Sequence, residues 1–286
     1  MTAWTDSYWW SNDGLRLHYR DYPGSADRPL ILCIPGLTRN ARDFEGVAER
    51  LAGDWRVLCV DLRGRGESAY AKDPMTYGPL TYLQDLEALL RDQQVERLVP
   101  FGTSLGGLLT FMLAAADRTR IAGALLNDVG PVLEGAGLER IRGYVGRSQS
   151  WPTWLHAARA LAEQHRETYP DWQLEDWLRY AKRVAKLGSN GRIVIDYDLR
   201  IAEPMKLPGA ATGFDLWAAF DALSGAPVAA VRGASSDILS VETLSLMAER
   251  HPDLDAVTVP GVGHAPTLEE PEAQAAIDRL LAKVAG

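Results

Sequence analysis

Cysteine is scarce in this chain of 286 residues. Only Cys33 and Cys59 occur, each inside an apolar run, so no disulfide framework is expected and both thiols read as buried and free. No apolar stretch approaches the roughly 20 residues that a bilayer-spanning helix needs. The first residues, Met1-Thr2-Ala3-Trp4-Thr5-Asp6, carry neither the basic nor the apolar segment of a secretion signal. Lys and Arg number 30 against 38 Asp and Glu, a net charge of -8, and they form no stripe or block of the kind that tracks nucleic acid. His, Cys and carboxylates nowhere recur at metal-ligand spacing. These absences argue against membrane, nucleic acid and metal. The expectation is a cytoplasmic protein that acts on a small molecule.

What is present is a repeating order of strand and helix. Ser7 to Trp10 and Leu15 to Tyr19 alternate about Asn12-Asp13-Gly14, which predicts a hairpin. Leu30-Ile31-Leu32-Cys33-Ile34 and Arg56-Val57-Leu58-Cys59-Val60 are continuous apolar runs, the pattern of parallel strands covered on both faces. Asp43 to Leu51, Leu83 to Leu90 and Leu105 to Ala116 read as helices. Leu98 to Phe101 and Ile121 to Leu126 read as further strands. Short connections between such units imply an α/β fold with a parallel sheet.

The pattern breaks from about Pro131 to Gly213, where helical pieces around 157–162 and 174–181 replace strands. It resumes with a strand at Val228 to Val231, a helix at Val241 to Glu249, a strand at Ala256 to Val259 and a last helix from about Glu270 to Val284. The expected organisation is a core of residues 1–130 and 214–286 with a helical cap of residues 131–213. Trp151, Trp154, Trp172 and Trp177 fall in this cap, and as a set they suggest an aromatic roof over an apolar cavity.

Ser104 stands in Gly102-Thr103-Ser104-Leu105-Gly106, directly behind one strand and ahead of a helix. A serine on so tight a turn presents its hydroxyl outward at the positive end of the helix, as a nucleophile elbow does. A hydroxyl needs a base, and the base needs a group to hold its tautomer. Of the five histidines, His264 alone stands in a glycine-flanked loop after a sheet strand. Asp237, in the loop after Val228 to Val231, completes the chain order Ser, Asp, His. Asp128, at the end of the strand Ile121 to Leu126, competes for the same role, with a structural turn at the cap entrance as its preferred use. The developing oxyanion needs two backbone donors, expected from the amides of Leu105 and of Leu37 in Pro35-Gly36-Leu37-Thr38-Arg39-Asn40. Asp61-Leu62-Arg63-Gly64-Arg65-Gly66-Glu67-Ser68 lacks the spacing of a dinucleotide or phosphate loop and reads as a structural loop beneath the site.

Taken together, these segments resemble the α/β-hydrolase superfamily, and more narrowly its capped esterase, lactonase and carbon–carbon hydrolase branch. The resemblance spans about Tyr8 to Leu281. It implies an eight-stranded, mostly parallel sheet with the early strand antiparallel and a helical cap between the sixth and seventh strands. It makes Ser104 the nucleophile, Asp237 the acid, His264 the base and the Leu37 and Leu105 amides the oxyanion hole, with no cofactor. Pro35-Gly36 replaces the His-Gly found in many relatives. A serine at 104, where dehalogenases and epoxide hydrolases have aspartate, disfavours both. The expected function is hydrolysis of small to medium apolar carboxylic esters through an acyl-enzyme. Alternatives are a lactonase, a carbon–carbon hydrolase of a vinylogous diketone whose charged dienolate Arg39 and the cap arginines could hold, transfer of the acyl group to another acceptor, and a hydrolase-like binding protein.

Overall fold

The computed structural model describes residues 4–206 and 215–286. The expected boundary between cap and core at 213 and 214 lies outside the described residues. Eleven strands and nine α-helices alternate along the described chain. Before the cap come β1 (Thr5–Trp10), β2 (Arg16–Tyr22), β3 (Leu30–Ile34), α1 (Glu45–Leu51), β4 (Val57–Asp61), α2 (Pro79–Asp92), β5 (Leu98–Thr103), α3 (Leu105–Ala116) and β6 (Ala124–Asn127). The cap holds α4 (Gly135–Tyr144), β7 (Ser150–Trp151), α5 (Trp154–His165), α6 (Leu174–Val184), β8 (Ala185–Leu187) and β9 (Ile193–Ile195). The core then closes with α7 (Leu216–Asp221), β10 (Val228–Gly233), α8 (Val241–Arg250), β11 (Asp255–Val259) and α9 (Pro271–Ala285).

Eight strands form one sheet in the order β1-β2-β4-β3-β5-β6-β10-β11. β2 runs antiparallel to both its neighbours, and the remaining pairs are parallel. All five residues of β3 and of β4 are buried, as continuous apolar runs require when both faces are covered. Alternate residues serve opposite faces: Leu30, Leu32 and Ile34 pack with α2 and α3, whereas Ile31 and Cys33 pack with α1 and α9. Cys33 and Cys59 are register partners on β3 and β4. Both are buried and free, and burial pushes the Cys33 thiol up.

The cap enters between β6 and β10, the sixth and seventh strands of the sheet. Its α6 is strongly amphipathic, with Trp177, Tyr180, Ala181 and Val184 buried and a Gln173–Asp176 capping box at its start. Two features differ from the sequence reading. α4 carries Gly135, Gly137 and Gly143 and buries only Gly137 and Ile141, so neither propensity nor periodicity announces it. β7, β9 and β8 form a small antiparallel sheet whose strands of two or three residues are too short for a period of two to register. Among the described residues no helix is long and apolar enough to cross a membrane, and no group of three or more His, Cys, Asp or Glu could hold a metal ion.

Candidate active site

The site lies where the carboxyl ends of β3, β5, β6 and β10 meet the cap. Ser104 links β5 to α3 with φ 53° and ψ -114°, the strained left-handed turn of an elbow. The turn closes only because its flanks lack side chains. A Cβ on Gly106 would lie 1.9 Å from the Ile34 carbonyl oxygen, and one on Gly102 2.4 Å from the Gly106 carbonyl oxygen. The Ser104 N–H donates to the Asn127 carbonyl at 3.0 Å, which ties the elbow to β6.

His264 reaches Ser104 from the loop after β11, with its Nε2 3.0 Å from Ser104 Oγ. Its Nδ1 lies 2.7 Å from Asp128 Oδ2. A carboxylate only accepts, so Nδ1 carries the proton and Nε2 is left to accept from Oγ. Asp128 is fully buried, and its carboxylate also accepts from the Gly233 N–H at 2.8 Å and the Ser236 hydroxyl at 2.6 Å. The acid beside His264 is therefore Asp128, which corrects the expectation of Asp237.

Register explains the exchange. β6 and β10 are parallel neighbours with Asn127 opposite Val231, so the loops that follow them emerge side by side. Asp128 turns inward with φ 55°. Asp237 sits farther along its own loop, where Arg140 of α4 holds it through two contacts of 2.6 and 2.8 Å. The Arg140 guanidinium keeps the Asp237 carboxyl below the usual carboxylate range.

Among the described residues the N–H groups of Leu37 and Leu105 have no hydrogen-bond partner. Both residues border the nucleophile: Leu105 opens α3 directly after Ser104, and an added Cβ on Gly36, just before Leu37, would come within 3.7 Å of Ser104 Cβ. The loop that carries Leu37 is anchored from below. Buried Arg65 donates from Nε to the Leu37 carbonyl at 2.8 Å. Asp61 accepts from the Ala41 and Glu67 N–H groups at 2.7 and 3.0 Å and lies 2.7 Å from His18 Nδ1. This scaffold secures a loop that has Pro35-Gly36 in place of His-Gly.

A cavity of roughly 130 Å³ opens from Ser104 toward the cap. Arg39 lines it, bound by Asp43 through two contacts of 2.6 Å and lying over the Tyr180 ring at 4.6 Å. The aromatic wall is mainly tyrosine: Tyr144, Tyr169, Tyr180 and Tyr197 line the cavity with Phe44, and none of Trp151, Trp154, Trp172 and Trp177 does. This corrects the expected tryptophan lining. Trp172 stacks behind Tyr169 with ring centroids 3.8 Å apart, and Trp177 meets Trp172 edge-on at 4.9 Å, so these indoles hold the tyrosines in place. Arg140, Arg147 and His165 also stand on the cavity wall; the sequence reading offered the cap arginines only as a group and gave His165 no role.

The chain matches the alpha/beta hydrolase family over residues 31–277. It is 36% identical over 269 residues to a 3-hydroxybutyrate-oligomer hydrolase of Cupriavidus necator, covering 92% of this chain and 91% of that protein. It is 27% identical over 239 residues to a 2-(acetamidomethylene)succinate hydrolase of Mesorhizobium japonicum, covering 82% of this chain and 81% of the other. The crystal structure of an alpha/beta hydrolase from Novosphingobium aromaticivorans superposes with a TM-score of 0.96 at 60% identity, covering 99% of each chain.

Proposed function

The chain belongs to the alpha/beta hydrolase family, and on that premise we propose that it is a serine hydrolase cleaving short carboxylic esters through an acyl-enzyme. The observation that carries the reading is the line Ser104 Oγ, His264 Nε2 and Nδ1, Asp128 Oδ2, with steps of 3.0 and 2.7 Å, beside two amides unpaired among the described residues. Ser104 Oγ attacks the ester carbonyl while His264 Nε2 takes its proton. Asp128 stabilises the imidazolium, and the Leu37 and Leu105 N–H groups receive the oxyanion. His264 then protonates the departing alkoxide. A water that gives its proton to the same Nε2 attacks the acyl-enzyme and releases the acid, restoring Ser104.

The arginines of the cavity wall and the Cupriavidus relative, named for 3-hydroxybutyrate oligomers, favour esters of short hydroxy acids over the apolar esters expected from the cap tryptophans. A second reading is hydrolysis of a carbon–carbon bond in an acidic vinylogous diketone, favoured by the arginines that could hold a dienolate. The test is a panel of aryl acetates, linear 3-hydroxybutyrate dimers and ring-fission diketones, with fluorophosphonate labelling of Ser104. Turnover of the esters and a label on Ser104 support the first reading. Turnover of the diketones alone supports the second, and a label elsewhere refutes the nucleophile.

A further inference from the structure

We infer that the cap end of this cavity is a carboxylate-binding site in which Arg147, with Arg140 on the same wall, receives a free carboxylate on the substrate. The inference rests on the ester-hydrolase reading and adds which substrates it selects. Four arginines, Arg39, Arg140, Arg147 and Arg183, line the cavity, against one carboxylate, Asp43. Asp43 is taken by Arg39. Arg140 and Arg183 are bound by Asp237 and Glu269, neither of which lines the wall. Arg147 has no acidic partner among the described residues. The cavity is thus locally positive in a chain of net charge -8, and Arg147, exposed at its rim, is free to meet an anionic group on a ligand.

Neutral donors line the same cavity. His165 closes α5 and faces the Tyr144 ring edge-on at 6.1 Å. Neither its ring nitrogens nor the Tyr144 hydroxyl has a partner among the described residues. Burial, together with the positive charges of Arg39 and Arg140, lowers the His165 pKa to about 4, so the ring is uncharged near neutral pH and can donate one N–H. Burial pushes the Tyr144 hydroxyl up to about 12, so it remains a donor. A guanidinium fork with two neutral donors suits a planar anion with two oxygens. Ser104 lies on the core side of the cavity and Arg147 on the cap side. The fitting substrate therefore carries its ester and its carboxylate on one short chain, as the free acid of a hydroxy-acid oligomer does.

The probes are the linear dimer of 3-hydroxybutyric acid and the methyl ester of that dimer. Wild type should cleave the free acid with a kcat/KM about tenfold or more above that of the methyl ester. Arg147→Gln should lose about tenfold on the free acid, mainly through KM, and stay within about twofold on the methyl ester. Arg142→Gln, on the exposed side of α4 and paired with Glu139, should match wild type on both. Equal turnover of acid and methyl ester by wild type, or equal losses on both in Arg147→Gln, would overturn the site. Calorimetric binding of the free acid to Ser104→Ala separates this from the chemistry. Binding that weakens about tenfold with Arg147→Gln, in a protein that turns over neither compound, keeps the site and refutes the hydrolase reading. Binding that is absent or indifferent to Arg147 refutes the site.

Discussion

Changing Asp128 to asparagine keeps the shape of the acid and inverts one of its oxygens from acceptor to donor. Oδ2 accepts from His264 Nδ1 at 2.7 Å and from the Ser236 hydroxyl at 2.6 Å, while Oδ1 accepts from the Gly233 N–H at 2.8 Å. An amide cannot accept at both positions. If its NH2 faces His264, the ring must move its proton to Nε2, and it can no longer take one from Ser104. If it faces Gly233, two donors oppose each other at a fully buried side chain, costing about 1–3 kcal/mol of stability. Replacing the buried acid of such a triad with its amide lowers kcat by about 10⁴, or about 5 kcal/mol of transition-state stabilisation. Asp128→Asn should therefore lower kcat on an aryl ester by about 10³–10⁴ with little change in KM.

Asp237→Asn is the control. It breaks a pair in which both side chains are about one-third exposed, worth about 0.2–1 kcal/mol, so activity should change less than about fivefold. Steady-state kinetics on purified variants of known thermal stability make the comparison. A thousandfold loss in Asp237→Asn with near-normal activity in Asp128→Asn would refute the assignment.

Ser104→Ala should abolish both fluorophosphonate labelling and ester turnover while leaving the melting temperature close to wild type; labelling that persists would show another nucleophile. Gly106→Ala drives a methyl group to 1.9 Å from the Ile34 carbonyl oxygen and should cost about 3 kcal/mol or more, read by urea unfolding. Trp177→Ala should destabilise the protein by about 3–5 kcal/mol and lower activity alike on all acyl lengths, since the indole packs behind the tyrosine wall; a selective change in chain-length preference would contradict that placement. The His165 pKa falls from 6.5 to about 4 on folding, so the unfolded chain binds this proton more readily. Its contribution is full above pH 6.5 and fades as the pH drops toward 4. His165→Gln should flatten the pH dependence of unfolding free energy in that window by at most about 3 kcal/mol, and an unchanged slope would refute the shift.

Local chemistry made much of this protein legible in its residue order. Continuous apolar runs read as β3 and β4 because strands covered on both faces need no alternation. The elbow at Ser104 was visible because a backbone at φ 53°, pressed against Ile34, tolerates only glycine at 106. His264 was singled out by its loop between the last strand and the last helix. Tertiary structure alone decided between Asp128 and Asp237. Both carboxylates follow Ser104 and precede His264, and both leave the carboxyl ends of sheet strands. Only the adjacency of β6 to β10 brings them side by side, and Arg140 on a cap helix then claims Asp237. The cavity wall was hidden for a similar reason. Tryptophan density marked the cap as aromatic, but whether an indole or the tyrosine stacked on it faces the cavity depends on how the cap helices pack. That packing joins residues far apart in sequence, and it set tyrosines and arginines, not tryptophans, around Ser104.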